Sequence, residues 1–198
     1  MWNHNTHFHN YLLRQFPTKV NRSLDIGCGL GLFTRKLAKR SKTVDAVDVD
    51  GAIIKETSDH NTAPNIFYRH ADFLEADLPE ESYDVIVCIA SLHHMDLEAA
   101  LKKIKVLLCS SGKLLVLGLY REITVVDYMY SVISVLLNLV YLNWHRDTES
   151  IEITTTAVPT LPAQLSLKQI ETVARTLIPG YRLQRHLFWR YSLIWQKR

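Results

Sequence analysis

Cysteine is scarce in this chain of 198 residues, and the three that occur are far apart. Cys28, Cys88 and Cys109 are an odd number, and their spacing fits neither a disulfide framework nor a zinc-binding pattern. This usage indicates a reducing compartment, so the sequence predicts a cytoplasmic protein. The first residues lack a basic segment followed by an apolar run, and we therefore expect no signal peptide.

A strong excess of one charge is also missing. Lys and Arg number 23 against 20 Asp and Glu, a net charge of +3, whereas nucleic-acid-binding proteins usually carry a concentrated basic stripe. We therefore expect no nucleic-acid partner, and we expect Arg182, Arg185 and Arg190 to form a solvated strand face. With 47% hydrophobic and 22% charged residues, the composition is that of a folded globular chain. The length suits a single domain over residues 1–198.

Short apolar runs alternate with helical patterns through residue 118. The apolar runs predict strands at 23–26, 43–47, 65–68, 85–90 and 114–117. Two of them, 85–90 and 114–117, are continuously apolar, as expected of strands covered on both faces. Residues 96–108 predict an amphipathic helix capped by Asp96. This alternation predicts an α/β fold with a parallel sheet and helices on both faces.

The C-terminal region predicts a helix followed by two strands. Ser166 and Gln169 have the spacing of a capping box, and the helix should run from Leu167 to about Leu177. Pro179-Gly180 then breaks it. The segments 181–187 and 191–195 predict a pair of antiparallel strands.

Residues 119–165 do not follow the alternation. Their segment 123–144 is strongly apolar and about long enough to span a bilayer. Polar side chains recur along it every three or four residues, so they share one helical face: Asp127, Ser131, Ser134, Asn138, Tyr141 and His145. Such a stripe would be wasteful in lipid, so we expect a helical lid over the carboxyl edge of the sheet, with the stripe facing a wet pocket or solvent. A membrane-associated helix is the alternative.

The sharpest local signal is the glycine-rich run LDIGCGLG at residues 24–31. A glycine-rich turn after the first strand lets a ligand approach the backbone at a helix N-terminus. The glycines follow the pattern G-x-G-x-G, and Leu32 stands where the dinucleotide fingerprint needs a small residue. A nicotinamide oxidoreductase is therefore disfavoured.

Two further acidic positions follow predicted strands. Asp48 ends the second strand, where a carboxylate can accept both hydroxyls of a ribose. A helix-capping role is open for Asp48 and for Asp50. Asp72 follows the third strand in the sequence HADF, and it is equally compatible with capping and with binding an adenine edge.

Together these motifs resemble the class I S-adenosylmethionine-dependent methyltransferases, in particular the small-molecule branch that includes the ubiquinone and menaquinone methyltransferases. The resemblance covers residues 20–118 and rests on the order and spacing of five segments: LDIGCGLG, VDAVDVD, HADF, SYDVIVCIASLHH and LKKIKVLLCSSGKLLVL. It implies a Rossmann-like, doubly wound, mostly parallel seven-stranded sheet with an antiparallel final strand. The helical lid would be an insertion in this fold.

The resemblance implies S-adenosylmethionine as the cofactor and assigns contacts along the glycine loop. Asp25 would meet the amino group of the methionine part, directly or through water. Gly27 and Gly29 would let the loop lie against the cofactor. Ala90 would offer its backbone carbonyl to the methionine part.

The same resemblance assigns the nucleoside contacts. Asp48 would bind the ribose hydroxyls, with Val49 packing on the adenine. Asp72 would take the adenine amino group, with Phe73 nearby.

The resemblance also divides the domain into parts. Residues 1–20 would be a helical segment over the site, with Tyr11 and the stretch 2–9 lining it. Residues 21–118 would be the cofactor-binding core, 119–165 the lid insertion and 166–198 the closing helix and strand pair. His4, His7 and His9 have no accompanying cysteine or carboxylate cluster, so we expect no metal site.

The acceptor is expected to be a small, partly apolar molecule. His93 follows the fourth strand at the ligand-binding edge, and it is the candidate base for a hydroxyl or amine proton. The turn Ala90-Ser91-Leu92-His93 lacks the Asn/Asp-Pro-Pro-aromatic motif of enzymes that methylate exocyclic base amines, and Cys88 is a poor candidate nucleophile. Two alternatives stay open: a regulatory domain that binds the cofactor without catalysis, and a membrane-associated methyltransferase with a lipid-like acceptor.

Overall fold

A computed structural model describes residues 4–16, 19–61, 63–144 and 162–198; the side chains of residue 4 and of residues 136–144 are outside this description. Within these ranges, seven strands form one sheet: β1 (Val20–Ile26), β2 (Ser41–Asp48), β3 (Ile66–His70), β4 (Tyr83–Ile89), β5 (Leu108–Leu119), β6 (Arg182–Arg185) and β7 (Arg190–Gln196). Their order is β3-β2-β1-β4-β5-β7-β6. The strands β1 to β5 pair in parallel, and β7 runs antiparallel to β5 and β6. The predicted α/β fold is confirmed.

Helices cover both faces of the sheet. In chain order they are α1 (His4–His7), α2 (His9–Gln15), α3 (Thr34–Ala38), α4 (Gly51–Asp59), α5 (Leu97–Leu107), α6 (Val125–Trp144) and α7 (Leu167–Leu177). A 3-10 helix, Leu92–His94, follows β4. Each face of the sheet has its own apolar cluster. One includes Leu101 of α5 and Ile170 of α7, and the other includes Leu12 of α2 and Leu37 of α3. Two cores on opposite faces define a doubly wound sheet.

The helix starts follow the predicted caps. The Asp96 carboxylate accepts a hydrogen bond from the Ala99 N–H at 2.6 Å, and α5 begins at the next residue. Ser166 and Gln169 form the predicted capping box at the start of α7. Each cap satisfies backbone N–H groups that the first helical turn leaves without a partner.

The strand bounds differ from the sequence-based prediction, for example at β5 and β6. The segment around Ser111-Gly112, which precedes the strand predicted at 114–117, lies inside β5, where the pairing register with β4 shifts between Tyr83 and Val85. Ser111 takes a φ of 64° there, so the strand bends locally without ending. The strand predicted over 181–187 is shorter and spans Arg182–Arg185.

The predicted lid helix is present as α6, but its orientation differs from the expectation. Asp127, on the polar stripe, is 2% exposed and forms an ion pair with Arg185 at 2.7 Å. Ser134 is fully buried, and its hydroxyl oxygen accepts the Phe188 N–H at 2.8 Å. The stripe therefore packs against the β6–β7 connection instead of facing a wet pocket or solvent.

The apolar side of α6 faces outward. Ser131, on the polar stripe, accepts the Trp189 indole N–H at 2.7 Å, which adds a third contact to the β6–β7 connection. Large apolar side chains on the other faces are exposed: Val125, Val126, Tyr128, Met129, Tyr130, Val132, Ile133 and Val135. The apolar face that was expected to pack against the domain is thus the outer face of α6, at least through residue 135.

The side chains of the other residues of the predicted polar stripe lie outside the described part of the chain. The side chains of Asn138 and Tyr141, and all of His145, lie outside the described residues, as do residues 145–161. In the part of the chain that is described, none of the helices meets the length and apolarity needed to cross a bilayer.

Candidate active site

The strand order brings three acidic residues to one edge of the sheet. Asp25 lies near the end of β1, Asp48 ends the neighbouring β2, and Asp72 follows β3, the next strand outward. Parallel strands lie about 4.8 Å apart, so these residues occupy successive steps along the carboxyl edge. On the other side of β1 lies β4, where the chain reverses its direction of winding. Ligands of open α/β sheets bind at this kind of switch point.

The glycine loop after β1 is crowded at Gly27 and open at Gly29. Gly27 has a φ of 70°, and a Cβ there would lie 2.3 Å from the Cβ of Ser91. Ser91 also donates its hydroxyl to the Ile26 carbonyl at 2.6 Å, which ties the loop to the end of β4. Gly29 has a φ of 49°, and a Cβ there would meet nothing within 4 Å. A ligand can therefore approach the backbone at Gly29.

Asp25 is a buried carboxyl group below this loop. It is 2% exposed, and Thr34 at the start of α3 donates its hydroxyl to the Asp25 carboxylate at 2.6 Å. Burial raises the pKa of Asp25 to about 6, with Asp48 adding a smaller effect in the same direction and the Thr34 hydrogen bond opposing it. Asp25 is therefore ionised at neutral pH but titrates within reach of mild acid.

Asp48 binds the backbone of the two loops that flank it. One carboxylate oxygen accepts the Gly29 N–H at 2.8 Å, and the other accepts the Asp50 N–H at 3.0 Å. A carboxylate has about four acceptor positions, so two are left for a ligand. Val49 is 71% exposed beside it, available to a ligand at this edge. Asp50 accepts the N–H groups of Ala52 and Ile53, so it has the capping role that the sequence left open.

Asp72 and Phe73 lie in different environments. Asp72 is exposed, and one carboxylate oxygen accepts the Leu74 N–H at 2.8 Å. Phe73 is 4% exposed and packs in the core on the α5 face, with the Lys103 ammonium 5.4 Å from its ring centroid. The second oxygen of Asp72 is placed for a ligand, whereas Phe73 supports the loop from below. Their assigned contacts with adenine stay predictions.

The end of β4 supplies the last predicted cofactor contact. Ala90 follows the strand with a φ of 53°, in the left-handed region that residues other than glycine seldom adopt. Its N–H donates to the Leu117 carbonyl at 2.7 Å, and this bond holds the conformation. Backbone strain of this kind is common at functional sites.

A cavity of about 260 Å³ adjoins the 3-10 helix beyond Ala90. His93 and His94 line it, with their ring centroids 3.9 Å apart. Six of the other lining residues are apolar: Leu92, Met95, Leu97, Leu119, Leu165 and Ile170. The rest are Asp96, Gln164 and Tyr191. This cavity lies at the carboxyl ends of β4 and β5, and β4 is next to β1, the strand that carries Asp25.

The N-terminal helices pack at the same edge. Tyr11 contacts β7 and β6 through its hydroxyl, which lies 3.1 Å from the Ser192 hydroxyl and 3.4 Å from the Gln184 side chain. His9 is buried against Phe33, directly after the glycine loop, and burial lowers the pKa of His9 to about 4. The N-terminal part of the predicted lining stretch, residues 2 and 3, lies outside the described residues. Where the structure is described, no three metal-ligating side chains converge.

Several supporting residues escaped the sequence analysis. Thr34, Ser91, Thr57 and Lys103 hold the loops through hydrogen bonds to Asp25, Ile26, Gly29, Leu74 and Ala76. These five contacts join residues that are 9 to 65 positions apart in the sequence, so no local sequence pattern predicts them. Cys28 and Cys88 are not candidate nucleophiles. Both are buried, and burial raises the pKa of their thiols far above neutrality.

Comparisons with known proteins agree with this geometry. The sequence family described as a methyltransferase domain matches residues 24–116. An uncharacterized methyltransferase of Mycobacterium tuberculosis is 28% identical over 200 residues, covering 98% of this chain and 96% of that protein. The ubiquinone biosynthesis O-methyltransferase of Coxiella burnetii is 29% identical over 127 residues, covering 63% of this chain and 53% of that protein.

A solved structure shares the fold over nearly the whole chain. A putative S-adenosylmethionine-dependent methyltransferase from Listeria monocytogenes superposes with a TM-score of 0.64 at 14% identity. The match covers 96% of this chain and 97% of that one. At this identity the likeness concerns the fold, and it includes the elements outside residues 24–116.

Proposed function

Since this chain belongs to the class I S-adenosylmethionine-dependent methyltransferases, we propose that its acceptor is a small, partly apolar molecule held in the cavity beside His93. The observation that carries this proposal is the position of the cavity. It opens at the ends of β4 and β5, at the same sheet edge as the open side of Gly29. Its volume suits a compact molecule, and the six apolar side chains among its lining residues suit an acceptor with an apolar part.

The described residues fit the cofactor. Gly29 leaves its backbone open to a ligand, and Asp48 keeps two acceptor positions for two ribose hydroxyls. Asp25 offers a buried carboxylate for an ammonium group, and Asp72 offers an exposed oxygen for the adenine amino group. When bound, the cofactor supplies a methyl group on a positively charged sulfur, which the acceptor atom displaces directly.

The chain's own contribution is mainly positioning. The 3-10 helix and Leu119 fix the acceptor at the edge of β4 and β5, and alignment of this kind lowers a barrier by about 7–11 kcal/mol. His93 lines the cavity and is the candidate to accept a hydroxyl or amine proton from the acceptor.

The test is transfer of a labelled methyl group. The full chain is incubated with methyl-labelled S-adenosylmethionine and a panel of small phenols, amines and carboxylates, and the products are identified by mass spectrometry. We expect label in a small molecule together with an equal amount of S-adenosylhomocysteine. A His93→Gln variant should lower kcat and leave the affinity for S-adenosylhomocysteine unchanged.

Two outcomes would contradict the proposal. Tight binding of S-adenosylhomocysteine without transfer to any acceptor, including the small-molecule fraction of a cell extract, would favour a regulatory cofactor-binding domain. An unchanged kcat in His93→Gln would remove His93 as the base and leave it as a lining residue.

The raised pKa of Asp25 predicts a pH-dependent cofactor affinity. An ammonium group binds the ionised carboxylate, and Asp25 loses its charge as the pH falls through about 6. Below that pH, the dissociation constant of S-adenosylhomocysteine should rise by up to about tenfold per pH unit. The free energy of unfolding, in contrast, should increase as the pH falls from about 6 to about 4. In this range Asp25 takes up a proton in the folded state, whereas the same residue in the unfolded chain is still ionised.

The measurement is calorimetric titration between pH 5 and 8 in wild type and Asp25→Asn. The variant should bind more weakly at neutral pH and lose the step near pH 6. A step that persists in Asp25→Asn would assign the titration to another group.

A further inference from the structure

Arg190 is a buried cation at the site edge, in contrast to the solvated arginine face that the sequence predicted. It is 8% exposed, and burial lowers the pKa of its guanidinium to about 10, so it stays charged at neutral pH. Arg185, at the end of the neighbouring β6, has the carboxylate of Asp127 as a counter-ion. Among the ion pairs of the described residues, none involves Arg190.

The hydrogen bonds of Arg190 position it without neutralising it. Nε donates to the Asn5 side-chain oxygen at 3.0 Å, and Nη1 donates to the Phe188 carbonyl at 3.2 Å. Both acceptors are uncharged, and a guanidinium carries five N–H groups. A buried charge without a counter-ion is costly, and further N–H groups remain for an anion.

The turn before Arg190 is held in an uncommon conformation. Phe188 and Trp189 both have a φ of 58°, and α6 binds them through Ser134 and Ser131. The helix α1 contributes Asn5 from the opposite side. The guanidinium is thus fixed by three parts of the chain that are distant in sequence, which is the preorganisation that a binding residue requires.

The backbone of Arg190 lies near the proposed acceptor cavity, whereas its side chain is held on the α1 side by Asn5 and is not part of the cavity lining. It pairs in register with Leu119 at the end of β5, and Leu119 and the adjacent Tyr191 line the cavity. Only β5 lies between β7 and β4, so the backbones of Arg190 and Ala90 are about two strand spacings, or roughly 10 Å, apart. A single substituted aromatic ring is long enough to bridge much of that distance.

We propose that Arg190 determines specificity by binding an anionic group, a carboxylate or a phosphate, on the methyl acceptor. The planar fork of an arginine matches both groups with paired hydrogen bonds. The proposal rests on the proposed function, because it places the reacting end of the acceptor beside Ala90 and His93. It narrows the acceptor class to small anions with an apolar body.

The first test measures binding without turnover. Inorganic phosphate is titrated at constant ionic strength into the full chain saturated with S-adenosylhomocysteine, and thermal unfolding is recorded. Phosphate should raise the melting temperature of wild type and of Arg182→Gln, an exposed arginine on the neighbouring β6, and should not raise that of Arg190→Gln. An equal rise in all three proteins would overturn the proposal.

The second test measures methyl transfer to matched acceptors. Hydroxybenzoates and aminobenzoates are compared with their uncharged amides. Wild type should prefer the acids, and Arg190→Gln should lower kcat/KM for the acids at least tenfold and leave the amides unchanged, with Arg190→Lys in between. A loss of stability alone would lower both series together.

The outcomes separate this inference from the proposed function. Transfer to amides in preference to acids by wild type would overturn the role of Arg190 and leave the methyltransferase assignment intact. That comparison uses the wild-type chain, so it remains decisive if Arg190→Gln does not fold.

Discussion

Replacing Asp48 by alanine should lower the affinity for S-adenosylhomocysteine at least about a hundredfold. Hydrogen bonds to a charged group are worth roughly 1.5–3 kcal/mol each, and two ribose hydroxyls would lose their acceptor together. Each 1.4 kcal/mol corresponds to about a tenfold change in affinity. The affinity should fall further because the Gly29 N–H also loses its acceptor, which leaves the glycine loop less well fixed.

Two further variants separate the ribose contact from the loop contact. Asp48→Asn keeps one oxygen and the shape of the side chain, so we expect a smaller loss of affinity than in the alanine variant. Asp50→Ala removes the cap of α4, which should cost about 0.5–2 kcal/mol of stability and leave the affinity unchanged. Calorimetric titration and urea unfolding measure the two quantities. Equal affinities in Asp48→Ala and wild type would place the ribose elsewhere.

The parts of the fold that sequence predicted well are those governed by local rules. Continuous apolar runs predicted β4 and most of the paired part of β5, and side chains that satisfy the first helical turn predicted where α5 and α7 begin. The acids after β1, β2 and β3 could be placed on one edge, because the carboxyl ends of parallel strands meet there. These inferences need only the sequence spacing and the parallel topology.

The orientation of α6 could not be predicted in this way. An amphipathic pattern shows which residues share a face, and packing usually buries the apolar face. Here Arg185 of β6 and, in the β6–β7 connection, the Phe188 N–H and the Trp189 indole bind the polar face of α6, so that face is the buried one. Those partners lie more than 50 residues away along the chain.

Arg190 and Phe73 show the same limit at the scale of single residues. Arginine on a short strand is exposed in most proteins, yet Arg190 is covered by α1 and the β6–β7 turn. Phe73 follows an acid at the site edge, yet its side chain points into the core on the α5 face. Burial of these two depends on elements that assemble only in the tertiary structure.

A second large effect should follow from the open side of Gly29. A methyl group added there meets no protein atom within 4 Å, so Gly29→Ala should fold, at a cost of roughly 1–2 kcal/mol for an alanine in the left-handed region. The same methyl group would lie where the cofactor approaches the loop, and we expect the affinity for S-adenosylhomocysteine to fall at least about a hundredfold, a loss of roughly 3 kcal/mol. Calorimetric titration and thermal unfolding, measured together, test this pair of effects.

Gly180→Ala is the matched control for this experiment. Gly180 has a φ of 86°, and a Cβ there also meets nothing within 4 Å, but it lies in the turn between α7 and β6. Its alanine variant should show a similar loss of stability and unchanged affinity. Gly27→Ala is unsuitable, because its Cβ would displace Ser91 and disturb the loop itself. If Gly29→Ala binds S-adenosylhomocysteine as tightly as Gly180→Ala does, the cofactor does not lie against Gly29, and the site must be sought elsewhere along the sheet edge.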